Sequence, residues 1–262
     1  MALRQVSVTR YVEPLREGGS LPGLVEADDD GLYVAKFRGA GQGPGALVAE
    51  VVVGELARTL GLPVPELVRL ELPAELARAE PDPEIQELLA TSAGVNLGVD
   101  FLPGALPFTP AALALIDPSL AADIVWLDAL TTNVDRTPRN PNLLVWHGRP
   151  WIIDHGAALY RQYGERPLAA TAREPFPSIA EHVLLGRAEP IPAADARLAA
   201  PAQAGYGEAI ERVPDGWLGE DPNGRRADLR GFFADRLSEP RAFVGEAEQA
   251  RRAHAAGDGD GD

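Results

Sequence analysis

The chain has 262 residues, of which 45% are hydrophobic and 24% are charged, so it can bury a substantial core as one large domain or as two lobes. It contains no cysteine, which excludes disulfides, thiolate metal sites and a cysteine nucleophile. The net charge of −15 argues against a nucleic-acid-binding protein, because such proteins carry a basic surface.

The first hundred residues predict strands and one long helix. Residues 26–31 have the composition of a hairpin tip. Alternation of apolar and polar residues predicts the strand Leu32–Phe37, and helical spacing of apolar residues predicts the helix Ala46–Leu60, which ends at Gly61. A further strand at 63–72 and a short helix at 82–90 follow.

The second part of the chain is mainly helical in pattern. Residues 94–105 mix strand-like residues with glycines and predict a connector between two lobes. Helices are predicted at 110–116 and at 118–130, the latter preceded by Asp117 as N-cap. Residues 143–153 predict a hairpin that turns at His147-Gly-Arg, and the segments up to about 245 are helical.

This order of elements predicts an α+β protein with two lobes, and clefts between lobes are where ligands usually bind. We expect an N-lobe over residues 1–98, a hinge over 99–104, a C-lobe over 105–245 and a disordered acidic tail over 246–262, which ends in Gly-Asp repeats. No apolar run reaches the roughly 18 residues of a membrane span. The N-terminus lacks the apolar core of a signal peptide, and we expect a cytoplasmic protein.

Three polar residues in the second part have the spacing of a phosphoryl-transfer site. Asp135 and Asn140 lie five residues apart in a loop broken by prolines, and Asp154 ends a later apolar run. Phosphoryl transfer from a nucleotide needs a carboxylate near the accepting hydroxyl, and an amide with a second carboxylate to hold Mg²⁺. The chain has a single lysine, Lys36, and it lies in the strand predicted upstream.

The segments Asp135-Arg-Thr-Pro-Arg-Asn140 and Ile153-Asp-His-Gly156 resemble the catalytic loop and metal-binding motif of HipA-like kinases. That group is similar to phosphatidylinositol kinases and, more distantly, to eukaryotic protein kinases. The resemblance implies a two-lobed protein-kinase-like fold, with an N-lobe of mainly antiparallel sheet plus one helix and a mainly helical C-lobe. It also implies ATP and Mg²⁺ as cofactors of a bacterial-type enzyme.

The same resemblance implies a role for each matched residue. Asp135 would orient or deprotonate the acceptor hydroxyl, and Asn140 and Asp154 would coordinate Mg²⁺. Lys36, in Val34-Ala-Lys-Phe37, matches the strand lysine that neutralises the nucleotide phosphates. A glutamate on the following helix normally holds that lysine. Glu50 and Glu55 both qualify, and Glu50 is preferred because it is nearer the start of the helix.

The nucleotide pocket is assigned by resemblance as well. Val99, Phe101 and Leu102 would contact adenine at the hinge. Gly18, Gly19 and Gly23 would belong to the loop that covers the phosphates, where backbone N–H groups approach an anion. Ser20 in this loop is either a plain turn residue or a site of autophosphorylation.

Several positions depart from the family patterns. The residues before Asp135 are Asn133-Val134 rather than His-Arg, Thr137 replaces a frequent histidine, and His155 replaces the phenylalanine of protein kinases. Asp128, on the helix before the loop, is interpreted as a loop-anchoring residue. Arg136 and Arg139 either contact substrate or pair with acidic neighbours.

The leading hypothesis is a kinase that phosphorylates a serine or threonine of a protein. Two alternatives remain at this point: a kinase for a small molecule or lipid head group, and a nucleotide-binding pseudokinase that acts through protein partners. The sequence does not indicate the identity of the acceptor, whether a toxin–antitoxin partner exists, or the oligomeric state.

Overall fold

The computed structural model describes residues 2–15, 21–41 and 43–257. Within them, a strand-rich lobe precedes a helical lobe, which confirms the predicted two-lobed α+β, kinase-like fold. The first lobe is a barrel with strand order β1-β2-β3-β5-β4, closed by parallel pairing of β4 with β1; the other pairs are antiparallel. Its strands are β1 (Gln5–Pro14), β2 (Gly23–Ala27), β3 (Leu32–Lys36), β4 (Leu67–Leu72) and β5 (Gly94–Asp100).

The helices of the first lobe are α1 (Pro44–Thr59), α2 (Ala74–Ala79) and α3 (Pro83–Thr91). The second lobe contains a small sheet of β6 (Leu106–Pro107), β7 (Leu143–Trp146) and β8 (Arg149–Ile152). Its helices are α4 (Pro118–Thr131), α5 (Ile191–Glu211), α6 (Pro222–Leu237) and α7 (Ala242–Gly257). Short 3₁₀ turns occur between them, at 110–115, 160–163, 168–171, 177–181 and 215–217.

The barrel has its own interior, separate from the main core. Alternating residues of its strands, such as Val6, Val8, Val68 and Leu70, pack inside it. Residues on the outer face, including Leu97 of β5, join the larger core formed with α1 and the helical lobe. The predicted connector is therefore corrected at 94–100, because these residues form β5 between β3 and β4 in the sheet.

Helix α1 is buried on every side between the sheet and the second lobe. All residues from Leu47 to Ala57 are buried, which is typical of a helix inside a core. Its three consecutive valines, 51–53, have low helix propensity, so tertiary packing rather than propensity stabilises it. At its end, Gly61 adopts φ 76°, and the N–H of Leu62 donates to the carbonyl of Ala57, as in a Schellman cap.

Helix α5 packs closely against α1. A Cβ atom on Gly205 of α5 would lie 2.6 Å from Cγ2 of Thr59, so only glycine permits this approach of the two helices. Consequently α1, which belongs to the first lobe in sequence, is held against the second lobe along its length.

The expectation of a disordered tail over 246–262 is wrong for residues 246–257, which belong to α7. This helix packs against α4 and α5 and buries Phe243 and Ala247. Glu248 accepts from the backbone N–H of Ile191, 3.0 Å away, and pairs with Arg251. Residues 258–262 lie outside the described residues. None of the helices described combines the length and apolarity that crossing a bilayer requires.

Candidate active site

The single lysine lies at the centre of a charged cluster between the lobes. Lys36 is the last residue of β3, and its Nζ donates to Glu50 of α1 and, at 2.7 Å, to Oδ1 of Asp154. The Lys36 side chain is 15% exposed and that of Glu50 is 3% exposed, whereas the Asp154 side chain is 48% exposed. The cluster is thus buried on the α1 side and open to solvent at Asp154.

Glu50 also fixes the segment that follows Asp154. Its Oε2 accepts from the backbone N–H of His155 and its Oε1 from that of Gly156, each at 3.0 Å. Asp154 itself has φ 57°, a conformation that non-glycine residues adopt rarely and mostly at special positions. One carboxylate therefore positions both the lysine and the loop that carries Asp154. Glu55 turns away and pairs with Arg212 instead.

The cluster has the charge states expected of close, partly buried ion pairs. Burial disfavours the charged form of each group, but Lys36 outweighs burial at Asp154 and holds the pKa of that carboxyl well below its usual range. Glu50 and Asp154 likewise raise the pKa of Lys36 against the effect of burial. Burial, with the Asp154 charge, raises the pKa of Glu50 to about 7, although Lys36 opposes this shift.

Asp135 lies in the loop after α4 and is held by two amides. Its Oδ2 accepts from Nδ2 of Asn140 at 2.8 Å and from Nδ2 of Asn142 at 3.3 Å. Asn142 also donates to the carbonyl of Asp135, at 3.3 Å. Thr137 and Asn140 exchange two backbone hydrogen bonds of 3.1 Å, which close the intervening turn. The amide groups thus orient the Asp135 carboxylate before any ligand binds.

Asn142 and Arg136 connect this loop to the Asp154 segment. The backbone N–H of Ile153 donates to the carbonyl of Asn142 at 3.1 Å. The Arg136 guanidinium donates to the same carbonyl at 2.5 Å and to that of Ile153 at 3.3 Å. The structure thereby brings the Asp135 and Asp154 segments together side by side.

A buried polar network lies beneath the loop. Arg136 is 1% exposed, and its guanidinium pairs with Asp128 of α4, which is fully buried. His182 Nε2 lies 2.9 Å from the same carboxylate, and Asn133 donates to its other oxygen at 2.9 Å. Burial would raise the pKa of Asp128, but Arg136 and His182 hold it well below its usual range. Asp128 therefore anchors the loop, as predicted, and Arg136 is a structural residue rather than a surface one.

His155 connects this network to α1. Its Nδ1 lies 3.3 Å from Nη2 of Arg136, and because a guanidinium only donates, Nδ1 must be the unprotonated nitrogen. Burial, reinforced by the Arg136 charge, lowers the pKa of His155 to about 3, so the ring is neutral. Its Nε2 is buried without a hydrogen-bond partner in the described structure.

The residues predicted to contact the nucleotide lie on β2, on β5 and in the segment that follows β5. Val99 pairs with Val34 on the neighbouring strand. Phe101 follows β5, and its backbone N–H donates to the carbonyl of Leu32 at 3.0 Å. Leu102 is 5% exposed and begins the connection to the second lobe. Gly23 starts β2 and pairs with Ala35. Gly18, Gly19 and Ser20 lie outside the described residues.

The donor set fits a hard divalent cation. Asp154 presents a half-exposed ionised carboxylate, and Asn140, whose Nδ2 is engaged by Asp135, keeps its carbonyl oxygen available. The described residues contain no group of three or more histidine, cysteine or acidic side chains that could hold a metal ion by themselves. A site of this kind matches Mg²⁺, which usually takes few protein ligands and completes its coordination with phosphates and water.

Three residues of the site were missed at the sequence level: Asn133, Asn142 and His182. Asn142 carried a usable signal, because asparagine next to a proline and a strand favours the left-handed conformation that it adopts here, with φ 48°. Asn133 and His182 meet Asp128 only through the tertiary fold, and His182 is remote from it in sequence. No local pattern marks them.

Comparisons with known proteins bear on the family and the fold. A family model described as HipA-like kinase matches residues 8–234. The crystal structure of a Helicobacter pylori proinflammatory kinase, CtkA, is similar in fold, with a TM-score of 0.57 and 14% identity over 95% of this chain and 99% of that chain. The crystal structure of the Golgi casein kinase has a TM-score of 0.50 and 13% identity, over 96% and 72% of the two chains. A search of curated proteins gives no match. Since the family model covers most of the sequence, the chain belongs to the HipA-like kinase family.

Proposed function

We propose that this kinase is an ATP- and Mg²⁺-dependent phosphotransferase that phosphorylates a serine or threonine hydroxyl of a protein. The observation that carries the proposal is the joining of two half-sites. The Lys36–Glu50–Asp154 cluster and the Asp135–Asn140 pair are held together by the Asn142 carbonyl, which both Ile153 and Arg136 contact. A protein that only bound nucleotide would have no need of an oriented Asp135.

The residues divide the chemistry between them. Asp135 accepts the proton of the acceptor hydroxyl as the hydroxyl oxygen attacks the terminal phosphorus of ATP and the bond from that phosphorus to ADP breaks. Lys36 neutralises charge on the nucleotide phosphates. Asp154 and the Asn140 carbonyl would hold Mg²⁺, which neutralises charge on the transferred phosphoryl group. Glu50 keeps Lys36 and the Asp154 segment in place, so the positive charges are oriented before substrate arrives.

Membership of the HipA-like kinase family supports the proposed protein acceptor. The fold similarity to the two kinases bears on architecture, because both are below 25% identity to this chain. A cytoplasmic location and the absence of a nucleic-acid partner are part of the same proposal, and the net charge of −15 supports the latter.

Thermal unfolding tests the nucleotide site. The melting temperature is measured with and without ATP, each with and without Mg²⁺, for the wild type and for Asp154→Ala. ATP at a hundredfold its Kd adds about 2.7 kcal/mol of stability, and at this size each kcal/mol raises the melting temperature by roughly 2–4 °C. We expect a Mg²⁺-dependent rise of several degrees that Asp154→Ala loses.

A matched control is Asp235→Ala, which removes an exposed carboxylate from α6, away from the site. This variant should keep the full rise. An unchanged melting temperature of the wild type at millimolar ATP would overturn the proposal.

A second experiment decides the class of acceptor. The kinase and labelled ATP are incubated with a protein extract and, separately, with a metabolite extract, and Asp135→Asn is the inactive reference.

A further inference from the structure

An open cleft of about 500 Å³ lies between the barrel and the loop that joins α5 to α6. One side is formed by residues of β4, β5 and the end of β3, and the other by the α5–α6 connection and α6. Its polar lining is dominated by guanidinium groups, and its apolar lining includes an aromatic ring; these residues are Arg38, Arg69, Arg212, Arg226, Val95 and Trp217. The volume is in the range of small-molecule sites.

The cleft gathers arginines in a strongly acidic chain. Four arginines line it, against two carboxylates, Glu211 and Asp215. The protein as a whole carries a net charge of −15. An acidic protein that gathers guanidinium groups in one concave surface has a local preference for an anion, because the low-dielectric walls concentrate the field.

The arginines have more donors than the protein supplies with acceptors. Arg212 pairs with Glu55 and, at 3.0 Å, with Glu208, and Arg226 pairs with Asp215 at 2.7 Å. Arg38 donates to the carbonyl of Ala93 at 2.6 Å. For Arg69 the described structure contains no side-chain hydrogen bond or ion pair, although this residue is half-buried. Each guanidinium has five donors, so unused capacity remains at Arg69 above all.

Three of these side chains also carry an unsatisfied buried nitrogen. The Nε atoms of Arg69, Arg212 and Arg226 are covered by protein and have no hydrogen-bond partner among the described residues; that of Arg226 lies 3.5 Å from Glu211 without hydrogen-bond geometry. Buried polar groups are usually satisfied, so these three nitrogens are exceptions among the described residues. Guanidinium groups bind phosphate and carboxylate oxygens in pairs of hydrogen bonds, and phosphate suits several arginines at once.

We propose that this cleft binds a small phosphate monoester with an apolar body. The phosphate would lie against Arg69 and Arg38, and the apolar part against Val95 and Trp217. The Trp217 ring is already fixed, since its Nε1 donates to the carbonyl of Val95 at 3.3 Å and the residue is only 5% exposed. A rigid aromatic wall beside the guanidinium of Arg69, which has no partner among the described residues, is the pairing that such a ligand requires.

The cleft is distinct from the nucleotide site. Lys36, Leu97 and Arg69 are cross-strand partners in one row of the sheet, so their side chains share a face. Leu97 lies between the other two and is fully buried in the core with α1. Two strand spacings separate Lys36 from Arg69, about 10 Å. An anion at Arg69 is therefore held on the far side of Leu97 from the Lys36 cluster.

Calorimetric titration of the full chain with phenyl phosphate tests the proposal. Arg69→Gln should weaken binding at least about tenfold, because a charged hydrogen-bond donor is lost. The matched control is Arg78→Gln, an exposed arginine of α2 outside the cleft lining, which should stay within about twofold of the wild type. Lys36→Met should also keep binding, because it changes only the nucleotide site. Inorganic phosphate should bind more weakly than phenyl phosphate, since it lacks the apolar body.

Two results would overturn the proposal. One is wild-type protein that does not bind phenyl phosphate at millimolar concentration. The other is binding that Lys36→Met abolishes and Arg69→Gln leaves unchanged, which would place the anion at the nucleotide site. Melting temperatures establish that the variants are folded. Should Arg69→Gln unfold, Arg38→Gln repeats the test, because Arg38 is exposed and, among the described residues, its side chain bonds to a backbone carbonyl.

Discussion

Glu55 of α1 and Arg212, at the end of α5, form an ion pair that joins the strand-rich lobe to the helical lobe. Glu50 lies five residues earlier on α1 and points to a different side of the helix, towards Lys36. One helix thus carries a carboxylate for the site and a second carboxylate for its own attachment. The attachment determines where Glu50, and with it Lys36, is held.

Arg212→Gln should destabilise the protein by about 3 kcal/mol, because it leaves the buried Glu55 carboxylate without its main partner. The free energy of unfolding in urea measures this. The matched control is Arg197→Gln, an exposed arginine whose replacement breaks pairs with Asp123 and Glu189 and should cost less than about 1 kcal/mol. In a double-mutant cycle with Glu55→Gln, costs that simply add would show that the two side chains do not stabilise each other.

Asp135→Asn should lower kcat by about 10²–10⁴-fold while leaving nucleotide affinity close to that of the wild type, because the residue acts on the acceptor proton rather than on ATP. Asparagine keeps the size of the side chain, so the loop should retain its shape. Steady-state kinetics and nucleotide titration are measured together on the same preparation. If Asp135→Asn transferred phosphate near the wild-type rate, Asp135 would not be the group that accepts the proton of the acceptor hydroxyl.

Much of this fold has local signals in the sequence. Helix α1 begins with Pro44 and ends before Gly61, and α4 follows an Asp117 side chain that accepts from the backbone N–H of Ser119 at 2.8 Å. The strand that carries Lys36 and the hairpin of β7 and β8 are marked by alternation and by turn residues. Such elements can be predicted because the residues that determine them are neighbours in the chain.

Other features depend on residues that are distant in sequence. The barrel closes through parallel pairing of Gln5–Ser7 with Arg69–Glu71, which no local pattern announces. Helix α7 is stabilised by packing and by the bond between Glu248 and Ile191, so the disorder expected from the acidic Gly-Asp end does not extend back to residue 246. The site shows the same division. The metal and catalytic motifs are visible in the sequence, whereas the contact of Asp128 with His182 requires the folded chain.

Asn142 positions Asp135, and a pair of substitutions separates its side chain from its backbone conformation. Asn142→Ala removes both hydrogen bonds to Asp135 and strains the left-handed backbone at φ 48° by about 1–2 kcal/mol. Asn142→Gly removes the same bonds without that strain. We expect kcat to fall about 10-fold or more in both variants, as measured by the transfer assay. Only the alanine variant should also lose the stability that the backbone strain costs. A fully active glycine variant would show that the amide does not position Asp135.

Between pH 6.5 and pH 5, His155 should lower the stability of the kinase as pH falls, whereas Glu50, whose pKa of about 7 lets the folded protein take up a proton in the same range, should raise it. The pKa of His155 is about 3 in the folded protein and 6.5 for an ordinary histidine, so below pH 6.5 the unfolded chain binds a proton there that the native chain does not. Each such group lowers the free energy of unfolding by about 1.4 kcal/mol per pH unit. Urea unfolding between pH 7 and pH 5 measures the slope.

In that pH range His155→Phe should reduce the slope of the unfolding free energy by the amount that one bound proton contributes. Phenylalanine fills the buried space without titrating. The pKa of His182 is lowered as well, by burial, so part of the slope should remain. His147→Asn is the matched control, since His147 is exposed at the turn between β7 and β8 and asparagine accepts its backbone conformation of φ 48°. An unchanged slope in His155→Phe would mean that the buried ring takes up its proton in the folded protein, and that Arg136 does not hold it neutral.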